Sequence, residues 1–294
     1  MGERARVFLS LMGPDGLFCD VRYSMKQQAT PESIDELFRL TLVGDYDNED
    51  DEGGPWEAVS KLQAIGTREV FDHAAAWARN NKPAKRRRGI DILAQLGKSE
   101  TQPQVTFAAE TYAIVVETLE TELDPQIIDS CLVAFGHLEN PAAVPLVLPY
   151  RKNEDPDVRF AACFALSCFA DDPRAVEALL ALTEDPDDDI RDWATFGLGV
   201  KSNADSEAIR EALVERLDDE NQDTREEAVA GLGKRGDLRA LPTLIDLLHE
   251  EEVSFGVVEA ACHLLEMTEV DEEWTADDYI QALHERYAGE LEAE

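Results

Sequence analysis

Apolar residues recur along this chain at helical rather than strand spacing. Downstream of Pro173, Val176, Leu179, Leu180 and Leu182 fall on one side of a helix. Ile190, Ala194, Gly197 and Leu198 then do so on a second helix, at i, i+4, i+7 and i+8. The turn between them, Glu184-Asp185-Pro186-Asp187-Asp188, ends the first helix and caps the second. It also places carboxylates at the positive end of the second helix dipole. The small Ala and Gly on that face allow close helix–helix approach. Strand grammar is nearly absent; only Gly16 to Tyr23 is open to an extended reading.

The two-helix unit repeats. An Arg followed by Ala at +3 and Leu at +7 occurs at Arg159, Arg191 and Arg225. With that Leu as register, the equivalent positions are Ile65, Leu96, Phe135, Leu166, Leu198, Leu232 and Leu264, spaced by 31, 39, 31, 32, 34 and 32 residues. The pattern predicts first helices near 31–43, 68–80, 105–121, 141–152, 173–184, 205–217 and 238–250. Second helices are predicted near 56–65, 85–96, 125–136, 156–167, 187–199, 222–233 and 253–266. A last helix near 276–288 presents Tyr279, Ile280, Leu283 and Tyr287 on one face.

Asp155 to Leu182 and Arg225 to Leu248 resemble the HEAT-repeat family, in the short subtype named from phycobilisome lyases. The carriers are Asp155-Pro156-Asp157-Val158-Arg159 and Gly236-Asp237-Leu238-Arg239-Ala240-Leu241-Pro242. The run Asp192 to Gly199 is similar to bacterial HEAT proteins, and the resemblance extends over about residues 29–270. It fades toward the N-terminus, where Gly66-Thr67-Arg68-Glu69-Val70 and Leu96-Gly97 keep the rhythm. The implied fold is all-α: an α-solenoid of about seven helix pairs with terminal caps. The division is a cap segment over 1–28, the solenoid over 29–270, and a capping helix with acidic tail over 271–294.

Charge narrows the function. Sixty-three Asp and Glu against 27 Lys and Arg leave a net charge of −36, while 44% hydrophobic residues is ordinary for a folded chain. Binding to nucleic acid and docking on anionic lipid both need a basic face, so both are disfavoured. No apolar run approaches a membrane span and no cleavable leader pattern appears, which makes a cytoplasmic protein the expectation. Cys19, Cys131, Cys163, Cys168 and Cys262 are odd in number and mostly on apolar faces, so they read as buried small hydrophobes.

No catalytic constellation emerges. HEAT hydroxylases with a di-iron centre place His-Glu pairs at the start of second helices, but Arg159-Phe160, Arg191-Asp192 and Arg225-Glu226 stand there instead. His249-Glu250 and His284-Glu285 lie at helix ends. A bilin lyase, the chemistry of the subtype's namesake, would need cations for the propionates, and the groove is predicted acidic. Gly197-x-Gly199 follows a helix rather than a strand, against a dinucleotide loop. No metal, no cofactor and no enzymatic activity are therefore expected.

In HEAT arrays the second helices line the concave face. That places Phe160, Asp192, Trp193, Phe196, Glu226 and Glu227 in the groove, aromatic beside acidic, as a protein-binding surface for a basic or mixed basic/apolar segment. The aromatics could instead fill the space between repeats, and the acids could be plain solvated charge. Arg159, Arg191 and Arg225 read as a structural ladder, each pairing with oxygens of a neighbouring repeat. Lys85, Arg86, Arg87 and Arg88 form a cationic run placed in an interhelical turn, where the acidic stretch 45–52 would neutralise it; otherwise it is a second contact site. The leading reading is a non-enzymatic protein-binding scaffold. The alternatives are an acidic inhibitor or immunity-type protein blocking a basic nuclease, and a bilin lyase-like protein.

Overall fold

The computed structural model describes residues 33–44, 54–271 and 273–291. The stretches 1–28 and 45–52, which carry the expected N-terminal cap and the acidic neutralising loop, lie outside them. The described residues fall into two compact units divided between Ala165 and Leu166.

The first unit contains α1 (Ile34–Leu40), α2 (Pro55–Ile65), α3 (Arg68–Ala78), α4 (Pro83–Ala94), α5 (Ala108–Leu119) and α6 (Pro125–Leu138). A short α7 (Val144–Val147) follows, and the division falls inside α8 (Pro156–Ser167). The second unit holds α9 (Pro173–Leu182), α10 (Asp188–Phe196), α11 (Glu207–Glu215), α12 (Gln222–Lys234), α13 (Leu241–Leu248), α14 (Phe255–Leu265), α15 (Ala276–Arg286) and α16 (Ala288–Leu291). α1 packs on α2, α3 on α4, α5 on α6, α9 on α10, α11 on α12 and α13 on α14, and second helices pack on second helices: α2 on α4 on α6, and α10 on α12 on α14. No strand is present among the described residues, where one isolated bridge joins Ser99 and Gln102. The fold is an all-α solenoid.

Local chemistry starts each helix where the pattern places it. Asp124, Asp172, Asp187, Ser206 and Asn221 each accept a backbone N–H from the first turn of α6, α9, α10, α11 and α12. Proline, which has no N–H to lose there, opens α2, α4, α6 and α9. Register residues Leu96, Phe135, Leu166, Leu198 and Leu232 are all fully buried. Each such side chain contributes about 1.5–3 kcal/mol by leaving water.

Two elements depart from the pattern. The helix expected over 141–152 is a 3-10 turn, four α-helical residues and another 3-10 turn. Pro141 opens the segment, and Pro145 and Pro149 follow at four-residue steps, each removing a ladder donor from its interior. The second helix expected over 187–199 gives way at Gly197–Lys201 to a π turn. There Gly199 and Gly231 meet: a Cβ on Gly231 would stand 2.5 Å from the Gly199 Cα. Only glycine at both positions lets α12 approach the end of α10 this closely.

Candidate partner-binding site

That close approach sets α10 and α12 side by side and brings their acidic faces together. Thr224 Oγ1 on α12 donates to Asp192 Oδ1 on α10 at 3.5 Å. Glu226 accepts from the Gln222 side chain at 2.9 Å. Burial, with repulsion from Asp189, pushes the Asp192 carboxyl up to about 7. Burial likewise raises Glu227 well above the ordinary carboxylate range, and the charges of Asp192 and Glu226 add to it. Among the described residues, no Lys or Arg makes an ion pair with Asp192, Glu226 or Glu227.

The aromatic half of the expected surface is corrected. Phe160 and Trp193 are each 2% exposed, and Asp192 is 4% exposed. Trp193 packs its ring against Phe196 with centroids 5.3 Å apart, and its carbonyl accepts from Ser167 Oγ at 3.5 Å. Rings this large gain most by leaving water altogether, so neither Phe160 nor Trp193 is an accessible anchor. Phe196, Glu226 and Glu227 remain half-buried and accessible. The pair α10–α12 therefore presents a mainly carboxylate strip edged by one Phe.

The cationic run is also corrected. It begins α4 rather than filling a turn, and Arg88 is 3% exposed, donating to the Thr41 carbonyl at 2.7 Å and to Asp91 at 3.3 Å. Arg86 grips Glu122 with bonds of 2.8 and 3.2 Å. Lys85 lies over the Trp77 ring at 4.5 Å, and Arg87 bears electrostatically on Asp129. These side chains are committed within the fold and make a poor second contact site.

The repeat arginines all bind carbonyls of their own turn, and one of them also makes the contact between repeats that a ladder requires. Arg159, Arg191 and Arg225 each donate to a carbonyl six residues earlier, in the turn of their own helix pair: Asn153, Asp185 and Asp219. Arg191 also reaches the next pair, through Asp219 at 3.0 and 3.2 Å, the contact between repeats that the ladder expects. The tie between α10 and α12 that the sequence did not disclose is Arg235. Its guanidinium donates to the carbonyls of Leu198, Gly199, Ala204 and Gly231 at 2.7–2.9 Å. Nothing in the repeat register marks it, because the Arg lies outside the recurring Arg-Ala-Leu positions.

Other chemistry is limited. Cys131, Cys163 and Cys262 are buried thiols and Cys168 is half-buried; Cys19 lies outside the described residues. Carboxylates of Asp187, Asp188 and Asp189 stand within 4.8 Å of one another and are the residues best placed to share a cation. Asp187 already caps Ile190 N–H at 3.4 Å, and the three sit where the helix dipole favours negative charge. Asp129, not singled out by the sequence, is pushed to about 7 by burial against the pull of Arg87. No described helix is long and apolar enough to cross a membrane.

A family model for HEAT repeats matches residues 112–199, 181–266 and 210–288, more than half of the chain. A search of curated protein sequences returns no match. Among solved structures, Escherichia coli YibA is similar at 24% identity and a TM-score of 0.62, with 86% of this chain and 91% of that one covered. The archaeal HEAT-like repeats protein of Thermococcus onnurineus NA1 is similar at 16% identity and a TM-score of 0.50, covering 86% and 100%. The CpcE–CpcF phycocyanin lyase complex of Nostoc sp. PCC7120 follows at 14% identity and a TM-score of 0.49, covering 90% and 100%. Identities this low speak to fold alone.

Proposed function

Since the chain belongs to the HEAT-repeat family, we propose that it is a non-enzymatic protein-binding scaffold whose α10–α12 face receives a basic segment of another protein. The observation that carries this reading is the pair of half-buried carboxylates Glu226 and Glu227 beside the buried Asp192, with which no described Lys or Arg makes an ion pair. Isolated buried carboxylates cost free energy unless paired, and they hold protons instead. A partner guanidinium or ammonium placed between α10 and α12 would supply the missing charge, lower those carboxyl pKa values and expel the protons. Half-buried Phe196 at the edge would cover the aliphatic stem of the incoming side chain. Arginine suits the strip better than lysine, because its fork meets two carboxylates at once.

Capture from a lysate tests this. The wild-type chain should retain basic proteins that the double variant Glu226→Gln/Glu227→Gln loses at least tenfold, although the variant melts no lower than the wild type, since Gln at 227 removes a buried ionisable group. Retention of every partner by the double variant would remove the α10–α12 face from consideration.

A further inference from the structure

The second unit carries another open surface at its far end, separate from the α10–α12 face. A cleft of roughly 440 Å³ beside α14 and α15 is lined by Val253, Phe255, Val258, Val270, Trp274 and Tyr279. Phe255 is 57% exposed and Trp274 is 37% exposed. Two large rings held at the surface of one cleft are unlike scattered surface hydrophobes, and they have the composition of a binding hot spot. Trp274 is also held in place. Its ring meets Tyr279 edge-on at 5.0 Å, and the Tyr279 hydroxyl accepts the Asp271 N–H at 3.1 Å. A fixed aromatic loses little entropy when it is covered.

The surroundings select the occupant. Between Arg239 and Arg286 the sequence has no Lys or Arg and 13 Asp or Glu. Glu251, Glu252, Glu259, Glu269, Glu273 and Asp277 are all exposed there. A second copy of the chain would bring the same acids against them, and like-charge juxtaposition costs several kcal/mol. Anionic lipid is repelled for the same reason. We propose that this cleft binds a polypeptide segment in which an apolar side chain is flanked by Lys or Arg. The apolar group enters between Phe255 and Trp274, and the cations meet the acidic rim.

The probe is the hexapeptide Lys-Arg-Phe-Leu-Arg-Lys, titrated against the full chain while Trp274 emission is followed. A saturable blue shift is expected, absent in Trp274→Phe. The peptide with Ser-Ser at its centre and the acidic peptide Glu-Asp-Phe-Leu-Asp-Glu should each bind at least tenfold more weakly. Phe255→Ala, at an exposed position, should keep the fold and weaken binding about tenfold, as should Glu251→Lys/Glu252→Lys. Glu226→Gln/Glu227→Gln should bind the hexapeptide as the wild type does, so this surface stands or falls independently of the α10–α12 face. Equal affinity for the Ser-Ser peptide would overturn the proposal by showing charge attraction without an apolar site. A wild-type dimer that Phe255→Ala converts to monomer would overturn it in favour of a second copy.

Discussion

Asp192 shows how much a single side chain's depth matters. Its carboxyl is raised from 3.8 to about 7, chiefly by burial. For an acid with a raised folded value, the native state holds the extra proton between the two values. Stability is therefore greatest at low pH and declines as pH rises from about 4 to 7, then levels off. Asp192→Asn cannot ionise, so its stability relative to wild type should grow across that window and plateau above pH 7. The full effect is on the order of 4 kcal/mol, of which roughly 3 kcal/mol falls between pH 4.5 and 8 and is read from denaturant midpoints there. A wild-type-minus-variant difference that is flat with pH would refute the assignment. Asp129, also raised to about 7, adds a slope of the same sign. Depth is what the sequence does not carry at this scale. Position within the repeat places Trp193 and Phe160 on second helices, but whether a ring lies in or on a surface depends on neighbours up to a repeat away. That distance is why the aromatic patch expected from sequence resolves into one accessible Phe.

Elements were far more legible than depths. Apolar spacing, acidic caps and N-terminal prolines are local signals, and they place nearly every helix within a few residues of its observed ends. The failures have local causes too: two interior prolines, Pro145 and Pro149, break the helix at 141–152, and a glycine pair admits the π turn after α10. What ties elements together is less visible. Arg235 has a side chain only 4% exposed, and it binds five carbonyls from both sides of the α10–α12 junction. Charged hydrogen bonds of this kind contribute about 1.5–3 kcal/mol each and are not additive. Arg235→Met should cost roughly 3 kcal/mol or more by urea unfolding, and Arg235→Lys should recover little, since an ammonium cannot span the same fork. The glycine contact makes a companion prediction. Gly231→Ala drives a methyl into the Gly199 backbone and should cost about 1–3 kcal/mol. The acidic faces of α10 and α12 would be pushed apart, so the variant should also weaken capture of basic proteins. A Gly231→Ala chain as stable as wild type would mean that the two helices slide apart freely.

At the scale of the whole chain, cations are scarce and are used as ties. Arg68 pairs with Glu110, Arg79 with Glu117, Arg86 with Glu122 and Arg239 with Glu211, each linking one helix pair to the next. Such ties draw on 27 Lys and Arg set against 63 carboxylates, so cations fall far short of the acids. Exposed ion pairs contribute about 0–1 kcal/mol each, whereas a net charge of −36 repels itself throughout the fold. Salt weakens both effects, but the repulsion is the larger and more distant one, so screening should stabilise the chain. The screening length falls from about 10 Å at 0.1 M to 3 Å at 1 M. Relief of about 2–3 kcal/mol over that range corresponds to a rise in Tm of roughly 5–10 °C for a chain of this size. Such a rise, equal in NaCl and KCl, would mark the acid surplus as adaptation to a salty interior. A Tm that stays level or falls would mean that the ties dominate. The surplus would then have to be explained by the two surfaces where it gathers, the α10–α12 strip and the C-terminal cleft, as charge kept for basic partners.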